Sequence, residues 1–85
     1  MSTNKQPESV ELIWKGILGE RVAQDNQWGG KEHDDSHERF EWLNYIAKQT
    51  RMGLSVAHNP EQFEARMIKI AALAVAAIES SRRQR

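Results

Sequence analysis

The chain has 85 residues, no cysteine, and 12 basic side chains balanced by 12 acidic ones. A formal net charge of zero argues against a dedicated nucleic-acid binder, an acidic DNA mimic or a membrane-surface protein, each of which carries one-sided charge. Without cysteine there is no disulfide framework, no thiolate nucleophile and no cysteine-based zinc site.

This length makes one domain, residues 1–85, and a domain of this size buries only about 60–65% of the surface its unfolded chain exposes. Residues 1–8 are polar and lack the apolar core of a signal peptide, so they are expected to be disordered. The first predicted helix covers residues 9–24. There Val10, Ile13, Trp14, Ile17, Leu18 and Val22 recur at spacings of three and four. Gly16 and Gly19 interrupt it, and each costs up to about 1 kcal/mol relative to alanine. Either the helix starts near Gly19, or these glycines let a neighbour approach closely. A loop is expected from Asp25 to about Asp35, marked by Trp28, Gly29 and Gly30.

The second predicted helix covers 36–52. Asp35 is placed to cap it, with Glu38 reaching back as the other half of a capping box, and Gly53 ends it. Its inward stripe is expected to be Phe40, Leu43, Ile46, Ala47 and Thr50. Trp42 and Tyr45 lie off that stripe and either edge the core or face another chain. Asn59, Pro60 and Glu61 then form a strong start for a third helix over 60–82: Asn caps, Pro needs no amide partner there, and Glu suits the positive end of the dipole.

The third helix is the most informative. At about 100° per residue, Phe63, Met67, Ile70, Ala71, Ala74, Ala77 and Ile78 fill one face, and Ala65, Ile68, Ala72, Val75 and Ala76 much of the opposite one. Arg66, Lys69 and Ser80 leave a narrow polar strip. So wide an apolar arc needs cover on most sides. It is met either by two preceding helices or by a second copy of the chain, the alanines permitting close approach. The predicted fold is therefore all-α, a three-helix domain around a central Ala-rich C-terminal helix, completed by self-association. Its longest apolar run, Ile70 to Ile78, is about half of the ~20 residues that span a bilayer, so a cytoplasmic protein without membrane contact is expected. Arg82, Arg83 and Arg85 suit the negative end of the helix dipole and require no nucleic acid.

Potential ligands concentrate in His33, Asp34, Asp35 and His37, two imidazoles and two carboxylates that could hold a divalent metal. The spacing argues against this, because the predicted helix start falls between the histidines and they cannot share a helix face. In the structural alternative Asp35 and Ser36 cap the helix, Asp34 adds to its acidic first turn, and the histidines hydrogen-bond the loop. The carboxylate pairs Glu8/Glu11, Glu38/Glu41 and Glu61/Glu64 have the i, i+3 spacing of helical magnesium sites, yet each lies near a helix start where acids are expected anyway. No cofactor is otherwise implied. Trp28 is read either as a lid over the core or, with Trp14, Trp42 and Tyr45, as an anchor of a binding surface.

Gln27-Trp28-Gly29-Gly30, His33-Asp34-Asp35, His37, Trp42 and the run Ala71 to Ser80 together resemble a group of small bacteriophage and prophage proteins sharing a W-G-G-x-x-H-D-D-x-H core. The resemblance spans roughly Glu20 to Arg83. It implies a phage accessory setting, in which small helical proteins bind and redirect a host protein, and it assigns no residue a role. The expected function is thus non-enzymatic binding of a host or phage protein by a self-associating helical domain. Its contact residues are expected to be Trp28, His33, Asp34, His37, Trp42 and Tyr45. The competing expectation is a metal-dependent nucleotide-binding or nucleotide-hydrolysing protein with His33, Asp34, Asp35 and His37 as ligands.

Overall fold

A computed structural model describes the backbone of residues 5–84 and the side chains of residues 9–84. It is all-α: helices α1 (Lys5–Trp28), α2 (Lys31–Asp35), α3 (Arg39–Leu54) and α4 (Pro60–Arg83), with no strand among the described residues. Of the segment expected to be disordered, residues 1–4 lie outside the described residues, and Lys5 to Glu8 belong to α1.

The Ala-rich helix is central, as its composition required, because α1, α2 and α3 each pack on α4. Asn59 caps α4 through its side-chain oxygen, which accepts from the Gln62 amide at 3.1 Å. Gly53 of α3 lies against the Arg66 stem near the start of α4, and Trp42 lines a small crevice with Ala77 near its end; α3 is therefore antiparallel to α4. Contacts of α1 instead advance in step with α4, from Gly16 beside Ile68 to Glu20 with Lys69 and Arg21 with Glu79. The two long arms thus lie on one side of α4 and leave a cleft between them.

Several expectations are corrected. Helix α1 extends past the expected 9–24 at both ends. It passes through both glycines: Gly16 accommodates the Ile68 side chain, 3.4 Å from where a Cβ would stand, whereas nothing lies within 4 Å of Gly19. The expected loop is reduced to Gly29 and Gly30, whose positive φ angles of 104° and 72° turn the chain into α2. Asp35 does not cap the next helix. Glu38 holds that position, and its amide donates to the Glu41 carboxylate at 2.9 Å. Asp35 is taken instead by α4, where the Arg83 guanidinium donates to both of its oxygens (2.7–3.1 Å) and the Ser80 hydroxyl donates at 2.8 Å.

The inward stripe of α3 is also rotated. Trp42 and Gly53 are buried, with Ile46 and Gln49 half-buried beside them, whereas Phe40, Leu43, Ala47 and Thr50 are exposed. On α4, Ala72, Ala76 and Ser80 form the buried stripe. Ser80, read as part of the narrow polar strip, is 1% exposed.

Candidate functional site

The cleft is positioned by the C-terminal half of α1, by α2 and by α3, with Lys69 and Leu73 of α4 at its floor. Its volume is about 360 Å³. Five rings run along one wall. Trp28 stacks on His33 at 5.8 Å between centroids, and His33 meets His37 edge-on at 4.6 Å. His37 in turn touches Trp42 at 5.1 Å and Tyr45 at 5.2 Å, and those two close the ladder at 6.5 Å. Such edge-to-face and offset contacts are the favoured geometry of aromatic rings.

The turn at Gly29 and Gly30 leads the chain into α2, so that His33 meets Trp28 and His37 meets the α3 aromatics. Trp42 is the buried root of the ladder, and Trp28 is its exposed end, 56% accessible. Trp28 is therefore an edge of the cleft rather than a lid over the core.

All six residues expected to make contacts, Trp28, His33, Asp34, His37, Trp42 and Tyr45, line this one cleft. Asp35 does not. The polar part of the lining was not foreseen: Glu20, Gln24 and Gln27 from α1 and Lys48 and Gln49 from α3. The signal for it was a polar i, i+4, i+7 series on α1, which marks one helix face as distinct from the apolar positions around it.

Fixed charges hold the cleft in shape. The Lys69 ammonium donates to Glu20 at 3.1 Å, tying floor to wall. Arg21 bridges Glu79 at 3.0 Å, Asp25 at 3.2 Å and Asp34 at 3.7 Å, joining α1 to α4 and α2. Burial works against the Arg21 charge, and the hydrogen bond to Glu79 with the nearby Asp25 carboxylate more than offsets it, so its pKa is raised. At the end of the cleft, the hydrogen bond from Arg83 and then that from Ser80 hold the Asp35 carboxyl below the usual carboxylate range.

No protein-family model, curated protein or solved structure matches the chain.

Among the described residues, no three imidazole or carboxylate groups converge as metal ligands would. His33 and His37 meet ring edge to ring face, Asp34 faces Arg21, and Asp35 is occupied by Arg83 and Ser80. The Glu38/Glu41 spacing is accounted for by helix capping. The lining therefore combines flat ring surfaces with amides, ammonium groups and carboxylates. That combination suits an apolar group with polar edges. The Nδ1 of His33 is buried without a hydrogen-bond partner among the described residues.

Proposed function

We propose that the protein is a non-enzymatic interaction module, a phage or prophage accessory protein of the host cytoplasm, that seats a side chain of a host or phage protein in the ring-lined cleft. The observation that carries this reading is the convergence of Trp28, His33, His37, Trp42 and Tyr45 on one open cleft that polar side chains also line. Exposed aromatics at the rim of a pocket, rooted on a buried Trp, have the anatomy of an interface anchor. Self-association of the chain belongs to the same reading.

The test compares two baits in a lysate of a bacterial host: the wild-type chain, and a Trp28→Ala, Tyr45→Ala variant whose helicity is checked by circular dichroism. The reading expects a specific protein captured by the first and lost by the second. Identical captures from both baits would refute it. A rise in melting temperature with Zn, Mn, Ni or Mg, abolished by His33→Ala with His37→Ala, would favour the metal-dependent nucleotide reading instead.

A further inference from the structure

Helix α4 buries Ala72 and Ala76 and turns its polar strip to the same side: Ser80 is buried under Asp34 and Asp35, Lys69 reaches Glu20, and Arg66 is bonded to Gln49. On the opposite side, Phe63, Met67 and Ile78 are 41%, 40% and 53% exposed, with Ile70, Ala71 and Ala74 half-exposed between them. These six fall within about 100° of arc at helical spacing, and no charged residue interrupts them. The surface continues onto α3, where Phe40, Leu43 and Leu54 are 59–74% exposed on the flank away from Tyr45 and Lys48 of the cleft.

We infer that this face of α4 is covered by a second copy of the chain, the two α4 helices packing antiparallel about a two-fold axis near Ile70 and Ala71. Two observations select a copy of itself as the occupant. First, the stripe is self-complementary under that operation: Phe63 meets the partner's Ile78, Met67 meets the partner's Ala74, and the small Ala71 lies at the crossing, where backbones come closest. Second, Glu64 near the start of α4 and Arg82 near its end lie on one flank of the stripe, so antiparallel packing sets opposite charges and opposed dipoles side by side, and parallel packing would set like against like.

This deepens the self-association part of the reading above and does not depend on the cleft, which opens on the other side of α4. The experiment is the solution mass of the full chain by light scattering, for wild type and for Ala74→Arg. Wild type is expected at twice the protomer mass. Ala74→Arg sets two arginines into an apolar contact and is expected to weaken the dimer by roughly 100-fold or more, with helicity and cleft capture retained. A monomeric wild type at tens of micromolar would overturn the inference, as would a dimeric Ala74→Arg.

Should that variant fail to fold, single-cysteine variants decide the matter, since the chain has no cysteine of its own. Mild oxidation is expected to link Ala71→Cys into a covalent dimer and to leave Ala23→Cys, exposed on α1, unlinked. Equal linkage of both, or of neither, would refute the two-fold axis placed at Ala71. Loss of capture by the Trp28 and Tyr45 variant with an unchanged dimer mass separates the two proposals.

Discussion

Trp42 and Trp28 belong to the same ladder of rings but are placed at opposite ends of it, and truncating each to alanine separates support from contact. Trp42 is 6% exposed and Trp28 is 56% exposed, so Trp42 hides roughly twice as much of its surface. At about 25 cal/mol per Å² and 150–250 Å² for a fully buried large aromatic, the transfer contribution is ~4–6 kcal/mol for Trp42 and about half that for Trp28. Unfolded chains already bury part of this area, which lowers both values. Only Trp42 is also a buried packing partner whose loss leaves unfilled space, since it touches His37 and Tyr45 and shares a crevice with Ala77. Trp42→Ala is therefore expected to cost about 3–5 kcal/mol, and Trp28→Ala about 1–2 kcal/mol. A domain of this length has a total stability of order 4–13 kcal/mol, so the first variant stands near the folding threshold and the second does not. Urea unfolding followed by circular dichroism at one fixed protein concentration measures both, the concentration being fixed because association would stabilise the fold. Equal losses for the two variants, or a larger loss for Trp28→Ala, would refute the assignment of Trp42 as the buried root.

Ser80→Ala removes a buried hydroxyl that donates to the Asp35 carboxylate and accepts from Gln84 at 2.9 Å, so a thermal melt is expected to give a loss of about 1–2 kcal/mol. Gly19→Ala, with open space around the new methyl group, is expected to stabilise by about 0.5–1 kcal/mol in the same melt. Gly30→Ala, at φ 72°, is expected to destabilise by about 1–3 kcal/mol. The Asp35 and Arg83 clamp has a defined pH dependence. Because the folded carboxyl is held below its usual range, its contribution is complete above the unfolded value of about 4 and disappears as the pH falls through the folded value. Wild type and Arg83→Gln are thus expected to differ in urea midpoint at neutral pH and to converge in acid. A gap that persists unchanged at the acid end would show that Arg83 acts through packing rather than charge.

The start of α4 and its central place were legible, because Asn59, Pro60 and an unbroken alanine-rich run are local signals that tertiary context had no reason to override. The start of α3 was misplaced by three residues. Asp35 and Glu38 both satisfy the pattern of a capping residue followed by an acid, and so do Glu38 and Glu41. What distinguishes them is the distant Arg83 and Ser80, which draw Asp35 away from the helix start, and no local spacing encodes that contact. The residues that line the cleft were legible as large aromatics near a histidine-rich turn. Their convergence was not, since it depends on two positive φ angles at Gly29 and Gly30 that turn the chain into α2. The α1 side of the cleft was hidden for another reason: Glu20, Gln24 and Gln27 read as an ordinary solvated face until α3 is placed across from them.

The orientation of α4 could not be fixed by hydrophobicity, because apolar residues occupy both of its faces. What decides it is the narrow polar strip. Left outside, Ser80, Lys69 and Arg66 would be solvated, and nothing would tie α4 to the polar residues on the inner sides of its neighbours. Turned inward, Ser80 satisfies Asp35, Lys69 pairs with Glu20, and Arg66 bonds Gln49, so α2, α1 and α3 each gain a specific bond to the central helix. A domain with so little core gains register from these contacts that alanine packing alone would not supply. The consequence is an apolar outer face on the central helix of the fold. Solvating that face costs free energy in proportion to its area, and in the proposed dimer a second copy of the same face would remove that cost. In that dimer the inward polar strip and the two-fold interface are one arrangement: substituting Ser80 is expected to loosen the protomer and substituting Ala74 to separate the pair, the two effects being close to additive because the groups lie on opposite sides of α4 and share no partner.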